Sequence, residues 1–352
     1  MKQVILLAIL ILSSYKVFSQ NKMDDYEQSY YVTFSGTHPG QIIKKGNNWD
    51  ILAAFKESGK LSKLDERKIN YSQKQIDILC ALNFLQKTND SYQTLITILD
   101  QKDTKGIRTF TKDIASSINK LIKNDFLILS KRLNNKGFEN NTYSVFFSFL
   151  MDNIVWKLFE NNRILPEKKI TVETPIWDGT IWFDYPKRNF SCGTNSEIIN
   201  NLVFATNWTD SCDLSFVELD KSKILNEIIA NSRIKDDGLK NQLFTYNICD
   251  KDGNITIPLI TKKESKEIYN ISDSIANTIY NYIVNEIDFS KICTKYHIKS
   301  KGDAIIIVYH DIMYDILDIL ENDGFLKKPN AFTNPKTAMK GDLKDLVLIY
   351  EE

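Results

Sequence analysis

Residues 4–12 (VILLAILIL) are an unbroken apolar run of nine, behind Lys2 and ahead of polar Ser13, Ser14, Tyr15 and Lys16. A bilayer-crossing helix needs about 20 apolar residues, so this run is too short to span. With Val17 and Ser19 at the −3 and −1 positions, it has the layout of a cleaved secretory signal peptide. The expectation is cleavage after Ser19, leaving Gln20 first. The folding problem then belongs to residues 20–352, in a periplasmic or fully secreted setting. No Cys follows the apolar run to carry an N-terminal lipid, and no later segment has about 18 consecutive apolar residues, so the mature chain is expected to be soluble.

Charge removes further classes. The full chain has 45 Lys+Arg and 45 Asp+Glu. Loss of Lys2 and Lys16 with the leader leaves a net of −2. Near-neutrality gives no whole-chain attraction to nucleic acid or an anionic surface. Export also changes how the five cysteines read. Pairs persist as disulfides in an oxidising compartment, and an odd count leaves one over. Cys192 and Cys212, in a loop- and aromatic-rich stretch, are the expected pair. Cys80 sits in an apolar helical pattern and reads as a small buried hydrophobe.

Periodicity predicts a helix-rich α+β protein. Residues 20–48 form an extended lead-in with a short strand at 30–34. Helical spacing starts at Trp49, with Ile51, Leu52 and Phe55 on one face. Ser72 is the expected N-cap, with Gln75 at the capping-box position. A helix is expected at 91–100 and another from Thr111, with Ile114, Ile118, Leu121 and Ile122 inward, stopping at Asn124-Asp125. Residues 126–129 read as a strand, 134–137 as a tight turn, and 142–147 as a return strand or the start of a helix.

The stretch 111–145 (TKDIASSINKLIKNDFLILSKRLNNKGFENNTYSV) resembles the recognition helix and wing of the winged-helix superfamily, and the resemblance covers 72–147. It implies a face for nucleic acid or protein through Lys112, Asn119, Lys120, Lys123, Lys131, Arg132 and Lys136. Between 101 and 136 there are nine Lys/Arg against three Asp, the footprint of a nucleic-acid face; the alternative is a solvated helix surface. Near the C-terminus, helices are expected at 272–287, 289–296 and 302–322, with a strand at 346–350. Asn322-Asp323-Gly324-Phe325-Leu326 echoes Asn124-Asp125-Phe126-Leu127. That suggests a second winged-helix-like copy, or simply the usual chemistry of helix ends.

The middle predicts two hairpins, turning at Asp178-Gly179 and Asp252-Gly253, with a helix over 221–234 between them. The expected organisation is a signal peptide (1–19), a lead-in (20–48), a winged-helix-like domain (49–164), a central β-hairpin-containing α+β module (165–262) and a C-terminal helical domain (263–352).

Chemistry is sparse. The three histidines, His38, His297 and His310, have no zinc spacing, and there is no Cys-x-x-Cys, nucleophile elbow or phosphate loop. His310 reads as a hydrogen-bonded core histidine. Asp250-Lys251-Asp252-Gly253-Asn254 starts like a calcium loop but has Gly fourth and Thr261 twelfth, which favours a turn. No metal or cofactor is expected. Cys192 is a possible nucleophile only if a histidine meets it in space, and plentiful carboxylates leave open an acid pair set by distance. Trp177, Trp182 and Trp208, with Phe183, Tyr185 and Phe190, read as sheet core or as a stacking surface. The leading expectation is an exported, non-enzymatic binding protein for a protein or envelope component. The alternatives are a nucleic-acid-binding regulator, if the leader reading fails, and a hydrolase using Cys192 or a carboxylate pair.

Overall fold

A computed structural model describes residues 22–188, 192–209, 219–334 and 339–352. The expected leader, Phe190 and Cys212 lie outside the described residues. The fold is helix-rich α+β with three small sheets. The chain divides into two compact units: Met1–Gln101 with Lys168–Lys187, and Lys102–Glu167 with Arg188–Glu352. This cuts across the expected boundaries at 164/165 and 262/263, because residues 168–187 belong with the N-terminal part.

The first unit contains β1 (Glu27–Phe34), α1 (Pro39–Lys44), α2 (Asn48–Ala54), α3 (Ser62–Glu66), α4 (Gln73–Ala81), β2 (Leu85–Thr88), β3 (Ser91–Thr94), β4 (Thr97–Leu99) and β5 (Trp177–Asp184). Ser72 caps α4 by accepting the Gln75 amide at 3.2 Å. The Gln75 side chain goes instead to Asn47 and Asn48, so the reciprocal half of the capping box is absent. The helix expected at 91–100 is two strands. Asn89 takes a left-handed φ of 54°, a turn that lets Leu85–Thr88 pair antiparallel with Ser91–Thr94.

β5 lies between β1, antiparallel, and β4, parallel. The hairpin expected at Asp178-Gly179 is absent, since both residues sit inside β5 opposite Thr33 and Val32. Gly179 has φ 125°, and a Cβ there would overlap the Tyr31 carbonyl oxygen. This glycine answers a close approach of backbone, not a turn. Ile51, Leu52, Phe55, Leu79, Phe84 and Phe183 fill the core. Trp177 closes it and donates its indole N–H to the Leu82 carbonyl at 2.9 Å.

The second unit starts with α5 (Gln101–Asn135), 35 residues long. It absorbs both the helix expected from Thr111 and the strand expected at 126–129. The reason is the apolar spacing: Ile118, Ile122, Phe126, Leu129 and Leu133 are all buried and recur every three or four residues. Asn124 and Asp125 are tolerated because they face outward, where Asp125 accepts the Ser274 hydroxyl. Gly137, at φ 80°, ends the helix: Phe138 N–H returns to Leu133 and Gly137 N–H to Asn134, a Schellman cap. The recognition-helix-and-wing spacing is thus carried by one helix and its C-cap. Of the two Asn-Asp echoes, only 322–326 ends a helix.

Next comes α6 (residues 142–161), in which Val145–Val155 winds as a π-helix. β6 (Cys192–Ile199), β7 (Leu202–Thr209), α7 (Lys221–Asn231), α8 (Asp237–Thr245), β8 (Leu259–Ile260), α9 (Lys266–Glu286), α10 (Phe289–Tyr296), α11 (Lys301–Asn322), α12 (Asn330–Thr333) and β9 (Val347–Glu351) follow. The sheet order is β6-β7-β9-β8. The turn expected at Asp252-Gly253 forms, but it closes on a single Cys249–Ile255 bridge, not a full hairpin. The Asp250 carboxylate is spent on its own loop, accepting the amides of Asp252 and Asn254. The core runs along α6 and α11. Phe146 meets Phe126, and Phe149 meets Tyr269 and Tyr350.

Candidate functional site

Most residues of α6 are apolar, yet Ser144, Ser148 and Asp152 recur at intervals of four within it. Such a stripe inside an apolar helix must find partners. Ser144 donates to the Asp345 carbonyl at 2.6 Å. Ser148 donates to Asn207 Oδ1 and lies 2.9 Å from Thr194 Oγ1. Thr194 and Asn207 are register partners across β6 and β7. The Thr194 hydroxyl also bonds the Asp152 carboxyl. From α11, His310 adds its imidazole: Nδ1 donates to the Ile306 carbonyl at 2.7 Å, and the ring interacts electrostatically with the Asp152 carboxyl.

Burial raises the Asp152 carboxyl above its ordinary range, opposed by His310 and the Thr194 hydroxyl. Trp156, one further interval of four along, sets its ring edge-on to His310 at 5.4 Å. Ser148 and Asn207 are buried, whereas Asp152, Trp156, Thr194 and His310 are half-buried. The result is a polar cluster inside an otherwise apolar helix packing, with Ser148 and Asn207 at its buried end. The four-residue interval was its only trace in the sequence, since α6, β6, β7 and α11 meet only in the fold.

Another face of α11 holds a charged group. Arg188 pairs with Asp311 and lies 3.7 Å from Asp315 Oδ1, with its guanidinium over the Tyr314 ring at 5.2 Å. Asp315 Oδ2 accepts the Thr111 hydroxyl from α5. Thr111, Asp311 and Asp315 are each under a tenth exposed. Burial of that kind makes a pair a structural fastening, costly to break from one side. The carboxylates brought together here are tied to an arginine.

The first unit carries an open groove of about 890 Å³ between α1 and α4. Its floor is Ile42, Ile78, Leu79 and Leu82, and its rim includes Lys45 and Lys74. Ile78 is 46% exposed. Lys45 and Lys74 are exposed and make no ion pair among the described residues.

No family model, curated protein or solved structure matches the chain.

The residues singled out from the sequence are distributed as follows. Lys112, Lys120 and Lys131 are exposed on α5, while Lys123 pairs with Asp323 and Arg132 with Glu267. At about 100° per residue, Arg132 points roughly 100° away from Lys131. Lys112, Lys120, Lys123 and Lys131 fall within an arc of about 100°, with Arg132 outside it, and the charges of Lys123 and Arg132 are partly neutralised by Asp323 and Glu267. Trp177 and Trp182 are buried in β5, so both serve as sheet core. Trp208 belongs to the other unit, so the three do not form one sheet cluster; its ring covers Gly193, leaving no room for a Cβ there.

The pairing expected for Cys192 falls on a residue outside those described. Cys192 itself is a buried free thiol, 3.4 Å from the Tyr143 hydroxyl. Burial pushes it up to about 12, the wrong direction for a nucleophile. His310 is a hydrogen-bonded boundary histidine. Among the described residues, no group of three or more His, Cys, Asp or Glu is placed to hold a metal, and no helix is long and apolar enough to cross a membrane.

Proposed function

We propose that the chain is an exported binding protein whose N-terminal unit receives an acidic, apolar-faced segment of a partner protein in the groove between α1 and α4. One observation carries this reading: an open apolar floor, with Ile78 exposed, beneath two lysines that have no acidic partner among the described residues. Apolar surface left open beside uncommitted charge is what a docking site offers. The leader-like start supports an extracytoplasmic setting, where the partner would be another exported protein or an envelope component. The groove's volume suits a few side chains of an extended or helical segment better than a whole domain.

The test uses a fluorescein-labelled peptide of about six residues alternating Glu and Leu, about 20 Å long when extended. Its anisotropy should rise with the full chain at low salt. The rise should weaken as salt screens the lysines and disappear in the Lys45→Glu/Lys74→Glu double variant. Absence of binding at low salt, or equal binding by the double variant, overturns the groove as the site.

A further inference from the structure

Among the described residues, the outer edge of β1 is a row of backbone groups without partners. Ser35 donates its amide to the Ile176 carbonyl, in the same register that sets Glu27 opposite Asp184. Antiparallel ladders alternate hydrogen-bonded and non-hydrogen-bonded pairs. The odd-numbered residues of β1 therefore bond β5, and Gln28, Tyr30, Val32 and Phe34 turn their amides and carbonyls away from it. Among the described residues, nothing bonds those four backbones on that side. No residue of β1 is buried, and Phe34 is 44% exposed. Natural sheets blunt an edge by keeping it short or by placing Pro, Lys or a bulge on it. The opposite edge of this sheet, β4, is three residues long. β1 is eight residues long, keeps one unbroken register with β5, and carries neither Pro nor Lys.

We propose that β1 pairs antiparallel with β1 of a second copy of this chain, joining two three-stranded sheets into one across a two-fold axis at Tyr31. The outward groups choose the register. Two residues exchange hydrogen bonds across the new ladder when both turn outward. The register that uses all four in each copy sets Gln28 opposite Phe34 of the second copy, and Tyr30 opposite Val32. Tyr31 then stands opposite its own counterpart in a non-hydrogen-bonded pair, where side chains lie closest. A strand that pairs with itself meets its own charges, and like charges directly opposite are destabilising. Residues 28–34 (QSYYVTF) hold no charge, and Glu27 falls opposite Ser35. A strand of another protein could match charges on β1; self-pairing needs a stretch with none, and that is the stretch present. The Lys168 ammonium rests on the Tyr31 ring at 3.4 Å, so the axis brings like charges near each other and salt favours the pairing. The interface is independent of the groove between α1 and α4, which no residue of β1 lines.

Light scattering on the full chain at about 0.3 M salt, enough to screen Lys168, tests it. The mass should rise from that of one chain toward that of two between about 5 and 200 μM. The Gln28→Pro/Phe34→Pro variant removes two outward amides that β5 does not use, at exposed positions. It should keep the mass of one chain over the same range, with circular dichroism confirming that it folds. Tyr31→Cys reads the register without touching those amides, and decides the matter if the prolines disturb β1. Under copper-phenanthroline it should cross-link to its counterpart about tenfold faster than Thr33→Cys, which shares every native cysteine but falls opposite Ser29. Three results overturn the proposal. One is the mass of a single chain at the top of the concentration range. Another is a dimer that the folded proline variant leaves intact. The third is equal cross-linking of the two cysteine variants.

Discussion

The hydroxyl of Thr111 donates to Asp315 Oδ2 at 2.7 Å, joining α5 to α11 across 204 residues of sequence. That bond, with the charges of Arg188 and Lys112 nearby, compensates a carboxyl with almost no access to water. Among the described residues Asp315 Oδ1 accepts no hydrogen bond, and the guanidinium stands 3.7 Å from it.

Burial, and the nearby Asp311 charge, outweigh Thr111 and Arg188 and push Asp315 up from 3.8 to about 6. The folded state therefore holds this proton more tightly than the unfolded chain does. The contribution to stability is complete below about pH 4, is lost as pH rises through about 6, and is flat above. The swing is on the order of 3 kcal/mol. Urea midpoints measured from pH 4 to 7 should fall more steeply for the native chain than for Asp315→Asn. Parallel profiles would contradict the assignment.

Gly179→Ala should destabilise the first unit by more than about 2 kcal/mol. The variant combines a backbone conformation that side chains avoid with overlap against the Tyr31 carbonyl. Thermal melting followed by circular dichroism checks this. Ordinary melting of the variant would mean that β1 and β5 can separate without cost.

Cysteine accessibility should divide the thiols. Cys80 and Cys293 are half-buried, while Cys192 and Cys249 are buried. Burial raises all four, Cys249 to about 11 and Cys192 to about 12. Iodoacetamide at pH 9 should label Cys80 and Cys293 slowly and leave Cys192 and Cys249 untouched until the chain is unfolded, as read by peptide mass. Rapid native labelling of Cys192 would restore it as a nucleophile.

Tyr309→Phe removes a buried hydroxyl that donates to the Met151 carbonyl at 2.6 Å, within the π-helix. The ring contacts with Phe159 and Trp156 remain. The expected loss is about 1–2 kcal/mol, the cost of stranding a buried acceptor, read as a lower urea midpoint with an unchanged slope.

Where one helix face meets one core, the sequence was legible. Residues 289–296 were delimited by spacing alone, 301–322 to within one residue, and Ser72 was recognised as a cap. Signals that serve two structures misled. Asp-Gly at 178–179 marks a turn in many hairpins, yet here the glycine lets two strands approach. Asn-Asp at 124–125 usually ends a helix, yet here the apolar spacing from Ile118 to Leu133 runs straight through it. The polar cluster around Ser148 was invisible for a different reason. Ser148, Thr194, Asn207 and His310 lie on four separate elements, and a single chain of letters shows spacing along an element but not which elements meet.

β5 occupies the middle of its sheet although it follows the whole of Lys102–Glu167 in the chain. A polypeptide emerging from its N-terminus thus presents β1 and β4 with an empty lane between them until residue 184 arrives. The first unit is a clasp closed by a late strand. Any nascent or truncated chain ending before that strand holds two open strand edges, each able to pair with another chain until β5 enters.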